Sequence, residues 1–124
     1  MKSLFLLAIL FAQIACGQTL KNRTSLGLNY AKQELAKVVQ DTSSRHILVD
    51  TIIKDSETAT QVSEAILFKI YGKKNILKQK PYEIYFLSGY WVLSGTLPKK
   101  TEGGTFLIII SALTGQVIKL THGK

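Results

Sequence analysis

The chain has 124 residues, 46% of them hydrophobic, and sixteen Lys/Arg against eight Asp/Glu give a net charge of +8. That length carries one domain with one modest core. A single cysteine, Cys16, excludes an internal disulfide and a thiolate metal site of the usual kind.

Met1 and Lys2 make a short positive start, Leu4 to Ala12 a charge-free apolar run, and Ala15, Cys16 and Gly17 a small-residue end. This is the pattern of a secretory signal peptide over residues 1–18. The run falls short of the roughly 20 apolar residues that a permanent span needs. Cys16 stands where a bacterial lipoprotein leader carries its lipid-bearing cysteine. Ile14-Ala15-Cys16-Gly17 resembles the end of a lipobox, although Gln13 occupies the position where an aliphatic residue is expected. Ordinary cleavage near Gln18 is the alternative. Both readings predict an exported chain, periplasmic or lipid-anchored in the cell envelope, that meets the membrane only through such an anchor. Past Gln18 the balance is 15 Lys/Arg against 8 Asp/Glu. A basic excess suits nucleic acid, anionic lipid or an acidic protein, and export removes nucleic acid from the expected partners.

Residues 19–45 read as a tether. Within it, Asn29 to Gln40 is a candidate short helix with a thin apolar stripe of Tyr30, Leu35, Val38 and Val39. Residues 46–124 read as one domain. His46 to Lys54, apolar and β-branched, is expected to be extended. The spacing then predicts a helix over 56–71. Asp55 or Ser56 caps its first-turn amides, Ala59, Val62, Ile66 and Ile70 make one apolar stripe, and Gly72 ends it. Lys69, Lys73, Lys74, Lys78 and Lys80 crowd around that end. They read as a solvated face with cations favoured at a helix C-terminus, or as a contact for a partner or membrane surface. Lys73 and Lys74 are the candidate partner contacts among them.

Four strand-like runs follow: Tyr82 to Leu87, Tyr90 to Leu97, Gly104 to Ala112 and Gln116 to Thr121. Ser88-Gly89 suits a tight hairpin. The class expected is α+β, one long helix packed across a curved antiparallel sheet of about four strands. Phe106 to Ile110 is apolar on both faces, which predicts a central strand covered twice. The helix is one cover; the other is the N-terminal helix, a sheet curling on itself, or another molecule. Tyr82, Tyr85, Tyr90 and Trp91 crowd the neighbouring hairpin. Core and edge packing accounts for such aromatics; a concave, partner-binding sheet is the functional alternative, since Tyr and Trp anchor interfaces.

Enzymatic readings find little to stand on. The two histidines, His46 and His122, have no metal-ligand spacing. Leu93-Ser94-Gly95 lacks the first glycine of a nucleophile elbow, and no Gly-rich loop opens a helix in phosphate-binding order. His46 and Asp50, four apart on an extended segment, project to one face and make the nearest proton-transfer pair. His122 reads as a hydrogen-bonded end residue or a partner contact. No cofactor is expected.

The run from Ala59 to Lys124 carries Ile70-Tyr71-Gly72, Gln79-Lys80-Pro81-Tyr82, Trp91-Val92-Leu93-Ser94-Gly95-Thr96-Leu97-Pro98, Gly103-Gly104, Thr114-Gly115-Gln116-Val117 and Thr121-His122-Gly123-Lys124. In order and spacing these resemble the immunity proteins of the nuclear transport factor 2-like fold, of the YbbC/YhhH type. The resemblance covers a little over half of the chain. It implies a cone-shaped or cystatin-like relative of that fold and a non-catalytic protein that neutralises a cognate toxin of a bacterial polymorphic toxin system. With an export signal, that toxin acts in the envelope. Members often carry a polar or acidic residue where this strand has Ile109, so Ile109 marks a partner-facing surface of altered character. The alternatives are a general periplasmic lipoprotein acting as inhibitor or scaffold, and a small-ligand binder with a cone-shaped pocket.

Overall fold

The structure, a computed structural model, describes residues 23–41 and 46–124. The leader and Cys16 lie outside these. The chain divides into two compact units, residues 1–44 and 45–124.

In the first unit, α1 spans Gly27–Gln40, two residues earlier than its apolar pattern begins. Leu28, Leu35 and Val39 are exposed, and a Glu34–Lys37 pair one turn apart supports the helix. Nothing in α1 is buried. Its helicity therefore comes from local sequence, without an apolar face held in a core.

The second unit runs α2 (Ser56–Tyr71), α3 (Lys73–Leu77), β1 (Glu83–Leu87), β2 (Tyr90–Ser94), β3 (Phe106–Ser111) and β4 (Val117–His122). The strands form one antiparallel sheet in the order β1-β2-β3-β4. The expected α+β class, a long helix across a four-stranded antiparallel sheet, is the one observed. α2 has the predicted bounds because both of its ends are chemically marked. The Asp55 carboxylate accepts from Thr58 N at 2.7 Å, and this bond holds its pKa below the usual carboxylate range. At the other end Gly72, at φ 87°, donates its N–H to Phe68 O and stops the helix.

The buried stripe of α2 is rotated from the one the sequence suggests. Ala59, Ser63 and Leu67 are buried, Val62 and Ile66 flank them, and Ile70 is 55% exposed. Ser63 lies in the core with its hydroxyl buried and without a hydrogen-bond partner among the described residues. Replacing Ser63 by alanine removes that desolvated group and raises helix propensity. Stability is expected to rise by about 1 kcal/mol, read as a higher urea midpoint at unchanged slope.

The helix side of the sheet carries Leu93, Phe106, Ile108 and Ile110, all fully buried with Leu67 and Ile76. These six are among the largest residues of one continuous core. At the β1–β2 turn, Ser88 and Gly89 both have positive φ (49° and 84°), as a type I′ hairpin requires.

One expectation fails. His46–Lys54 contains no strand: Ile52 N and Ile53 N both donate to Ala112 O at 2.9 Å, and Trp91 Nε1 donates to Ile53 O. The segment is pinned at Ile53 beyond the end of β3, so its β-branched run reflects one buried anchor. Of the two covers expected for β3, α2 is one. Phe106, Ile108 and Ile110 are buried, whereas Leu107 and Ile109 on the other face are half-buried. α3, which sequence periodicity missed, is a single turn fixed by buried Ile76.

Candidate functional site

The cross-strand register sorts the strand residues onto two faces, since directly opposed residues share a side and neighbours alternate. Tyr85, Val92, Ile109 and Lys119 form one row; Leu87 pairs with Tyr90; Glu83, Ser94, Leu107 and Thr121 form another. All lie on the face turned away from α2. Here Tyr85 is 52%, Leu87 57% and Tyr90 41% exposed, with Val92, Leu107 and Ile109 half-buried between them. The outer face is thus an apolar surface with two tyrosines whose rings are open to solvent.

The hairpin aromatics consequently divide, and a single aromatic-bearing concave face is corrected. Tyr85 and Tyr90 stay on the outer face. Trp91 turns into the core, 9% exposed and tied to Ile53 O. Tyr82, just ahead of β1, packs edge-on against Phe106 and donates to Glu64 Oε1 at 3.0 Å. Burial, and then the Glu64 carboxylate, push its phenol well above the usual tyrosine range. Lys80 joins the group, its Nζ 3.0 Å from Glu64 Oε1 and 5.3 Å from the Tyr82 ring centre. Trp91 therefore acts through packing, while half-buried Tyr82 is held by Phe106 and Glu64. Strand periodicity could have separated them: Tyr85 and Leu87, reflected through Ser88-Gly89, fall opposite Val92 and Tyr90. Leu87, Val92 and Leu107 are outer-face residues that residue-by-residue reading overlooked.

At the end where β2 and β4 stop and β3 begins, the quoted motif segments converge on Gln79. Its side chain is buried. Oε1 accepts from Phe106 N at 2.9 Å, while Nε2 donates to Asn75 O at 3.3 Å and faces His122 Nε2 at 3.0 Å. The backbone N–H and C=O partners fix which way the amide points. His122 Nδ1 lies 2.7 Å from Gly123 O, which can only accept. The ring therefore carries its proton on Nδ1 and accepts from Gln79 through Nε2, a tautomer assigned from these partners. His122 also packs at a tilt against Tyr71, ring centres 4.9 Å apart. Both ring nitrogens are occupied, so it is the hydrogen-bonded end residue. It ties the end of β4 to Gln79.

Two glycines permit this closure. A Cβ on Gly104 would overlap the Gly123 backbone, and one on Gly95 would overlap the Gln79 side chain. Beside the cluster is an open cavity of about 380 Å³, lined among others by Tyr71, Asn75, Lys78, Leu97, Gly104 and His122. Between α2 and the sheet lies the cluster of buried side chains that includes Leu67, Leu93, Phe106 and Ile108. His46 and Asp50 sit on the irregular segment before α2, both exposed. Lys73 and Lys74 are exposed on α3, with Lys73 Nζ 5.8 Å from the Phe68 ring centre. Among the described residues no group of three or more His, Cys, Asp or Glu could hold a metal ion.

A helix laid across one side of a four-stranded sheet, with an open tyrosine-bearing apolar face on the other, defines a small α+β protein of the nuclear transport factor 2-like kind. The chain belongs to the NTF2 fold immunity protein family, whose pattern matches residues 58–124. Two Escherichia coli (strain K12) proteins are similar to it. Protein YhhH is 32% identical over 77 residues, 61% of this chain and 61% of that protein. Protein YbbC is 34% identical over 77 residues, 61% of this chain and 63% of that protein. The chain thus spans about three fifths of the length of the curated relatives it matches. No solved structure matches it.

Proposed function

We propose that this chain is a non-catalytic immunity protein that binds a cognate bacterial protein toxin through the outer face of its sheet. Family membership supports toxin neutralisation. The single observation that carries the surface is the outer face itself: exposed Tyr85, Leu87 and Tyr90 around half-buried Val92 and Ile109. Aromatic anchors in an apolar centre with a polar rim, here Glu83, Ser94, Lys119 and Thr121, have the anatomy of a protein interface. The proposed site of action is the cell envelope. The leader of residues 1–18 supports export, and Cys16 supports a lipid anchor. On this reading the toxin belongs to a polymorphic toxin system and acts outside the cytoplasm.

The test is capture followed by protection. The chain, exported in its native host, is used as bait, and the toxic domain of what it captures is expressed with and without it. Growth is expected to be restored by the wild type. Tyr85→Ala with Tyr90→Ala is expected to weaken capture by roughly 30-fold or more while the melting temperature stays close to wild type. Failure to recover any protein under mild conditions would sink the binding reading. Full protection by the double variant would move the interface off this face, and capture of a non-toxic envelope enzyme would favour a general inhibitor or scaffold.

A further inference from the structure

From residue 65 to residue 82 the chain has five lysines and no acidic residue. The fold turns this composition into a directed surface. α3 is held by Ile76, which is fully buried, and by the Asn75 side chain donating to Tyr71 O at 2.9 Å. Residues at i, i+1, i+4 and i+5 share one side of a helical turn. Lys73, Lys74, Leu77 and Lys78 therefore lie together on the side opposite Ile76 and Asn75, around one shallow depression. All three lysines are exposed, and none has a carboxylate partner among the described residues. Lys80, by contrast, is neutralised by Glu64.

We infer that this face docks the domain on an anionic phospholipid surface. Three ammonium groups without a carboxylate partner among the described residues, ringing half-buried Leu77, fit a phosphate headgroup layer, with their aliphatic stems lying toward the acyl boundary. An acidic protein partner fits less well. Lysine is depleted at protein interfaces, where a strongly hydrated point charge on a flexible stem is a poor anchor. At a lipid surface the same flexibility costs little, because the phosphates form a diffuse layer and each lysine contributes about 1 kcal/mol. The face lies on the helix side of the sheet, so the outer face with Tyr85 and Tyr90 stays available while the domain is docked. The inference does not depend on the toxin reading.

The test is co-sedimentation of the full chain with vesicles of phosphatidylcholine alone and of phosphatidylcholine with phosphatidylglycerol in equal parts. The neutral vesicles measure binding through the apolar run of residues 4–12. Phosphatidylglycerol is expected to add a component that high salt abolishes. Replacing Lys73, Lys74 and Lys78 together by glutamine is expected to lower that component on the order of a hundredfold. Replacing Lys54, Lys99 and Lys100 by glutamine removes the same charge away from α3 and is expected to leave most of it. The inference is overturned if phosphatidylglycerol adds nothing, if the α3 variant partitions like wild type, or if the control variant loses as much. Unfolding curves for both variants are expected to overlay the wild type, since every replaced side chain is exposed.

Discussion

Gly104→Ala is expected to cost about 3 kcal/mol or more and to open the end of the sheet where β3 meets β4. The added Cβ would overlap the main chain of Gly123, and no rotamer can relieve a clash with backbone. The two strands would have to part, losing the bond from Gly123 N to Thr105 O at 3.0 Å and the Phe106–His122 pairing. Phe106 is fully buried, so strain there reaches the core. The reverse substitution supplies the control. A Cβ on Gly123 meets Gly104 Cα at 3.0 Å and Thr105 N at 3.5 Å, which a small backbone shift accommodates. Denaturant unfolding of the pair is expected to rank Gly104→Ala well below Gly123→Ala. Equal stability would mean the strands are not this close in solution.

Gln79→Leu is expected to be the second most damaging change, at about 2–4 kcal/mol, although leucine has nearly the volume of glutamine. The side chain is 4% exposed and joins three elements. Without Oε1 the Phe106 N–H at the start of β3 loses its acceptor, a buried orphan worth about 1–3 kcal/mol. Without Nε2, Asn75 O and His122 Nε2 lose a donor. Gln79→Glu separates these losses. It keeps an acceptor for Phe106 but turns a carboxylate oxygen on the Asn75 carbonyl, and His122 can then meet it only by donating from Nε2. Nitrogen shifts of the His122 ring read the outcome directly. The wild type is expected as the Nδ1–H tautomer and Gln79→Leu as a mixture; a wild-type ring protonated on Nε2 would refute the assigned network.

Local sequence carried α2 almost completely. An acidic cap at Asp55, a glycine stop at Gly72 and an unbroken run between them are chemical signals readable within one turn of chain. The hairpin was legible for the same reason: Ser88-Gly89 needs two positive φ angles, and few dipeptides supply them. The family segments were also legible, as an ordered series of glycine, proline and aromatic positions along the second half. Sequence thus determined the class, α+β with a four-stranded antiparallel sheet, and the family.

Tertiary structure alone decided which side chains face a partner. Tyr82, Tyr85, Tyr90 and Trp91 have similar chemistry and similar neighbours in the chain, yet Trp91 is in the core, Tyr82 packs half-buried against it, and two are open. The register of β1, β2 and β3 makes that division. Apolar periodicity weighs only apolar residues and so does not pick out Ser63; α2 buries it since the Ala59–Leu67 side is the one that fits against β2. His46–Lys54 looked like a strand because burial of Ile53 and strand formation select the same residues. Most of all, the roles of Gln79, Gly95, Gly104, His122 and Gly123 could not be read from their positions. They form one closure around buried Gln79 from residues up to 44 positions apart, and hydrogen bonds or close approaches of that range leave no mark on local pattern.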